Sequence, residues 1–380
     1  MASLVAAWIG HLRVPYTVVL VVVGVALDWL GLLPPTSLNP SVFLGILLPP
    51  LLFEAAFSLR WAHLARVAWA IGVLATLGVV LSAAVTAAVV MLVLHAPVWL
   101  ALPFGVLIAA TDPVAVVSLF RQTAVPPDLR ALVEGESLLN DGTALILTDL
   151  LAAMIVLGQV NPLFLMSDVI FVVLGGLVIG GMVGLLGSLL ARTTSDYLVE
   201  TTLSVVVAFG SYAAAQDLGA SGVLAVVAAG SVLGNFGRRF GMSSRARDAI
   251  DNLWEFLAFV ANSLVFLLLG VAVVPSAFQG MLVPIAVGVV AALLGRAVVS
   301  YGLGAALDAL TGTPALPWRH VLFWGGLRGA LPVVVAISVS PEFGGSSDLE
   351  RLVLGVVVVS LLLQGLTLEP VLKRVLRPAN

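Results

Sequence analysis

Residues 98–121 read VWLALPFGVLIAATDPVAVVSLFR, an apolar run of membrane-crossing length with an aspartate and a proline at its centre. About 20 helical residues cross a hydrocarbon core of about 30 Å. Pro113 has no N–H to donate and disfavours helical geometry at Asp112, so this span is expected to break where its charge sits. An ionised side chain near the bilayer centre costs at least about 2.5–3.5 kcal/mol, which makes Asp112 a candidate functional residue by default.

The rest of the chain supports a membrane reading. Hydrophobic residues make up 61% and charged residues 10% of the 380, and mean hydropathy is +1.17. A soluble domain carries about 25% charged residues. Segments such as Leu74–Leu94 and Val169–Leu190 are apolar all round, whereas a membrane β-barrel would alternate with period two. The fold class expected is therefore an all-α polytopic membrane protein. The chain has no cysteine, so disulfides and cysteine-ligated metals are excluded. A net charge of −3 with basic residues confined to short loops gives no reason to expect nucleic acid. The apolar run after Arg13 lacks an A-x-A-like exit and is expected to be a span, not a cleaved signal.

Taking Pro, Gly and charges as breaks gives 13 spans, near 1–12, 14–33, 39–58, 65–95, 98–121, 128–157, 164–192, 197–217, 219–236, 248–274, 281–310, 318–340 and 350–372. The first is a stub too short to cross alone. Of 17 basic residues, all but Arg296, Arg328 and Arg351 follow odd-numbered spans. Because Lys and Arg stay in cytoplasmic loops, the amino terminus is expected outside and the carboxyl terminus inside. Six spans, a linking helix and six more give two inverted repeats, an architecture that places a site between helices interrupted at matching positions. The fifth span of each half is interrupted: one at Thr111-Asp112-Pro113, the other at Gly325-Gly326-Leu327-Arg328-Gly329 followed by Pro332. These two broken helices are expected to cross at the midplane. In the linking helix, Gly180 and Gly184 offer small-residue packing, internal or between two copies. The tryptophans, Trp254 and Trp324 among them, mostly flank spans as an interfacial belt would.

Asp112, Glu136, Asp141, Arg296 and Arg328 are the charges expected within spans, with Glu54 near the end of its own. In the segment Glu134-Gly135-Glu136-Ser137-Leu138-Leu139-Asn140-Asp141, a spacing of four puts Ser137 with Asp141 on one stripe and Glu136 with Asn140 on the next. Hydroxyl and carboxylate oxygens suit a hard cation such as sodium. A carboxylate and an amide suit an arginine, and mid-span Arg296 needs a buried anion. Glu136, Asn140 and Arg296 are expected as a structural cluster, leaving Asp141 able to exchange ligands. Arg328 either compensates Asp112 or lines a water-filled vestibule. Glu54 faces either the site or the cytoplasmic headgroups. Asp112 can also serve simply to neutralise helix ends at the break.

Five stretches in order, Pro49-Pro50-Leu51-Leu52-Phe53-Glu54, Thr111-Asp112-Pro113, Glu136-Ser137-Leu138-Leu139-Asn140-Asp141, Arg296 and Gly326-Leu327-Arg328-Gly329-Ala330, give the chain a resemblance along essentially its whole length. It resembles the NhaP-type sodium/proton antiporters, relatives of the eukaryotic sodium/hydrogen exchangers. The resemblance implies that Asp141 exchanges cation for proton, with Asp112, Ser137 and the Thr111 carbonyl around a sodium ion and Glu54 joining through the same cavity. It implies the same ion-pair cluster of Glu136, Asn140 and Arg296. It also implies a homodimer whose core holds the transport helices. By that division 1–97 is mostly dimerisation scaffold, with span 65–95 in the core; 98–160 is core, 161–280 is the linking helix and second scaffold, and 281–380 is core.

The function expected is secondary transport in the cell membrane, with sodium, and lithium as a second cation, exchanged for protons. No cofactor and no enzymatic activity are expected. Asn140 stands where electrogenic relatives have a second aspartate, which favours one-for-one exchange. Potassium/proton antiport is the alternative with the same ligands; an intramembrane aspartyl protease using Asp112 and Asp141, or a cation channel, are alternatives of other classes.

Overall fold

The computed structural model describes residues 15–32, 39–120, 125–157, 162–274, 278–313, 315–343 and 347–375. The expected stub at 1–12, and the loop residues Arg13, Arg121 and Arg377, lie outside them. Helix dominates what is described, and among the described residues nine helices are long and apolar enough to cross a membrane.

In chain order the helical elements are α1 (Tyr16–Trp29), α2 (Pro40–Ser58), α3 (Trp61–Leu94), α4a (Val98–Ala109) and α4b (Val114–Phe120), α5 (Pro127–Leu157), α6 (Pro162–Ala191) and α7 (Tyr197–Asp217). Then come α8 (222–240), α9 (Ser244–Val271), α10 (Leu282–Thr311), α11a (Leu316–Trp324) and α11b (Leu331–Val339), and α12 (Ser347–Val375). Their ends fall within about a turn of the breaks expected from hydropathy, because proline, glycine and charge mark where the apolar runs stop.

The described residues divide into two compact units, one drawn from 1–40, 67–156 and 263–380, the other from 41–66 and 157–262. The first unit contains both broken helices. Its α4a is apolar all round and is buried on nearly every face from Pro103 to Ala109, as expected of a helix enclosed by others. Small residues let backbones approach there: a Cβ on Gly105 of α4a would lie about 3.2 Å from the backbone nitrogen of Ala87 on α3, and one on Gly295 of α10 would lie 2.8 Å from the Ser82 carbonyl. Helices α3 and α10 each carry a π-helical turn, at Leu74–Gly78 and Val298–Leu303.

In the second unit, Gly180 and Gly184 of α6 face Ala225 and Ala229 of α8. This small-residue stripe serves internal helix packing. The other side of α6 exposes Met166, Phe171, Leu174, Val178, Met182 and Leu186, a face suited to hydrocarbon. The interfacial reading of Trp254 is corrected: it is fully buried, its ring lies 4.3 Å from that of Phe53, and its indole N–H donates to Ser204 Oγ at 3.0 Å. A tryptophan can be buried when its N–H finds a partner, and Ser204 supplies one.

Candidate functional site

Helix α4 stops at Ala109 and resumes at Val114; α11 stops at Trp324 and resumes at Leu331. The two interruptions meet. The Asp112 backbone N–H donates to the Leu327 carbonyl at 2.8 Å, which satisfies one donor and one acceptor freed by the breaks. The Asp112 carboxylate accepts from the Val114 N–H at 2.8 Å and so caps the start of α4b. The closeness of the crossing requires glycine on the α11 side: a Cβ on Gly329 would lie 2.8 Å from the Asp112 Cβ, and one on Gly326 would lie 2.7 Å from Arg296 Nε.

Arg328 is 2% exposed and spreads its guanidinium over carbonyls: Ala109 at 3.1 Å, Ala110 at 3.3 Å and Ala292 at 3.2 Å. Two of these acceptors are the orphaned carbonyls at the end of α4a. The sequence leaves Arg328 to compensate Asp112 or to line a vestibule; its hydrogen bonds instead cap the broken helix. The end of a helix carries partial negative charge, which a cation offsets.

Helix α5 presents Ser137 and Asn140 to this crossing. The Ser137 hydroxyl donates to the Thr111 carbonyl. Asn140 holds the same residue twice, donating from Nδ2 to Thr111 Oγ1 at 2.8 Å and accepting from the Thr111 N–H at 3.4 Å. The Asn140 side chain therefore clamps the break, with both of its hydrogen bonds going to Thr111 and none to the side chains of Glu136 and Arg296, beside which the sequence reading set it. The physical reason is that an amide offers both donor and acceptor, which the freed backbone and hydroxyl of Thr111 require.

Glu136 and Arg296, 2% and 6% exposed, form a two-armed ion pair at 2.5 and 3.0 Å, and Arg296 Nε donates to the Leu322 carbonyl at 2.9 Å. With both carboxylate oxygens engaged, Glu136 is held in place by its partner. A small cavity beside this pair is lined by Thr111, Pro113, Glu136, Ser137, Arg296 and Gly325, among others. Asp141 is different. It is partly buried, interacts electrostatically with Asp112, and among the described residues makes no side-chain hydrogen bond or ion pair. Glu54 belongs to the second unit, on α2, where it is partly buried.

Thus Thr111, Asp112, Ser137, Asn140 and Asp141 gather at the paired breaks, and Glu136 with Arg296 stands beside them. The sequence reading missed Ser360, Gln364 and Thr367, which sit on α12 at spacings of four and three and contact the α11 break. That spacing, inside the otherwise apolar run 352–368, was the available signal.

Helices long and apolar enough to cross a membrane, two of them broken and meeting beside the Asp112 carboxylate, suit a secondary transporter. The family model described as sodium/hydrogen exchanger, transmembrane, matches residues 1–374. The chain is 39% identical to the Na(+)/H(+) antiporter ApNhaP of Aphanothece halophytica over 95% of its own length and 70% of that protein, and 33% identical to the Na(+)/H(+) antiporter NhaG of Bacillus atrophaeus over 95% and 71%. Among solved structures it matches the sodium proton antiporter MjNhaP1 of Methanocaldococcus jannaschii with a TM-score of 0.79 at 20% identity, over 100% of this chain and 96% of that one. The chain belongs to the sodium/hydrogen exchanger family.

Proposed function

We propose that this chain exchanges sodium for protons across the cell membrane, one for one, with Asp141 as the group that carries either ion. One observation carries the reading. Glu136 is fully engaged by Arg296, whereas Asp141, among the described residues, stands without a paired cation next to Asp112, at a break where Ser137 and the Thr111 carbonyl add oxygen atoms.

An ionised carboxylate in a membrane interior is costly without a counter-charge, so Asp141 holds a proton or a cation but is not left bare. Sodium, a hard cation, takes oxygen ligands from the Asp141 and Asp112 carboxylates, the Ser137 hydroxyl and the Thr111 carbonyl. Its arrival displaces the proton, and its departure returns it. Coupling follows from competition for one site, with alternating access by the core helices. The core comprises span 65–95 with 98–160 and 281–380, and the remaining helices form the scaffold of a homodimer. The distribution of Lys and Arg supports an outside amino terminus. In the same reading, Asn140, by clamping Thr111, shapes the site without adding a charge.

The test is sodium-driven proton movement in proteoliposomes, with lithium and potassium in turn. Asp141→Asn is expected to abolish exchange and leave the protein folded; retained exchange would sink the assignment. Response to potassium in preference to sodium would transfer the reading to potassium/proton antiport. An imposed membrane potential is expected to leave the rate unchanged, and strong dependence would rule out one-for-one exchange.

A further inference from the structure

Between Leu352 and Leu368, helix α12 is apolar except for a short polar stripe. Ser360, Gln364 and Thr367 fall at spacings of four and three, so they share one face. Gln364 is 2% exposed and Ser360 5%. A buried amide is costly unless bonded, and among the described residues the bonds this stripe makes outside α12 go to Trp324 and Arg328, at and within one helix break. Gln364 Nε2 donates to the carbonyl of Trp324, the last residue of α11a, at 3.1 Å. Ser360 Oγ donates to Gln364 Oε1 at 2.5 Å and accepts from the Arg328 N–H at 3.4 Å. The Trp324 indole N–H donates to Thr367 Oγ1 at 3.0 Å.

The break is thereby held on both sides of Leu327, whose carbonyl receives the Asp112 N–H. Arg328, fixed through its backbone by Ser360, spreads its side chain over the end of α4a. We propose that Gln364, acting with Ser360, is a positioning residue for the cation site: it fixes the α11 break, and through Leu327 and Arg328 the break fixes Asp112 and the end of α4a. Gln364 touches no transported ion. This rests on the reading of Asp141 and Asp112 as the ion site.

The amide is needed because two opposite demands meet at one side chain, an acceptor for Ser360 and a donor for Trp324. Leucine supplies neither. Glutamate supplies the acceptor always and the donor only when protonated. Purified Gln364→Leu and Gln364→Glu proteins, reconstituted in liposomes, are titrated with sodium across a range of pH beside the unaltered protein. Loss of one buried hydrogen bond at a positioning residue corresponds to about a tenfold rise in the sodium concentration giving half-maximal exchange. Gln364→Leu loses both bonds and is expected to show at least that rise, with a smaller change in maximal rate. For Gln364→Glu the ratio to the unaltered protein is expected to be near one at low pH and to climb as pH rises and the donor is lost. A Leu variant with unaltered half-maximal sodium, or a Glu ratio flat in pH, would overturn the proposal; the Glu series decides alone if the Leu protein does not fold. Asp141→Asn is run in parallel, and exchange retained there would refute the ion-site reading itself, whatever Gln364 does.

Discussion

Replacing Arg296 by methionine keeps an apolar stem of similar length and removes the charge and three hydrogen bonds, two to Glu136 and one to the Leu322 carbonyl. Glu136 is then left as a carboxylate 2% exposed with no cation on it. Removing one member of a buried pair costs about 3–5 kcal/mol, most of it from the charge left behind. At about 2 °C per kcal/mol for a long chain, the melting temperature of the detergent-solubilised protein falls by about 6–10 °C. The double variant Arg296→Met with Glu136→Leu removes both charges, and apolar replacement of a whole pair is near neutral or stabilising. It is therefore expected to melt above the single variant, leaving only the Leu322 carbonyl without its donor. Thermal unfolding followed by size-exclusion checks both proteins, with sodium dependence measured alongside. A single variant with unchanged melting but altered cation preference would place Arg296 in the transport path; a double variant no more stable than the single one would refute the pairing as the source of the loss.

Three further outcomes follow from the geometry. Gly329→Ala sets a methyl 2.8 Å from the Asp112 Cβ and 3.0 Å from its Oδ2, so exchange is expected to fall at least tenfold in vesicle assays while the protein still elutes as a folded species. Asn140→Ala removes the clamp on Thr111 and is expected to raise the sodium concentration for half-maximal exchange by about tenfold, read in the same assay. Gly180→Leu drives a side chain into the Ala225 backbone, 2.6 Å from the added Cβ to Ala225 Cα, and is expected to lower folded yield severely, whereas Gly181→Leu, with open space around it, is expected to leave yield unchanged.

Most of the helical architecture was legible because hydropathy sets span lengths and proline, glycine and charge punctuate them. The site was legible where chemistry is expensive: a carboxylate or guanidinium within a span has few permissible reasons to be there, so Asp112, Asp141, Glu136, Arg296 and Arg328 could be singled out one by one. What the sequence did not reveal is who satisfies the backbone. Arg328 caps Ala109 and Ala110, Asn140 clamps Thr111, and Gln364 holds Trp324. Each answers to carbonyls or donors freed where a helix stops, and such partners depend on how two breaks cross, which spacing along one helix does not encode. Trp254 was misread for a related reason: a tryptophan suits either an interface or a core, and only the presence of Ser204 decides.

The most direct measurement is the number of protons released when sodium binds the purified protein, followed with a pH-sensitive dye in weak buffer. If Asp141 is shared between the two ions, sodium addition releases protons, and the release disappears in Asp141→Asn while the protein remains folded. Sodium binding without proton release, or release that persists in Asp141→Asn, would contradict competition at that carboxylate.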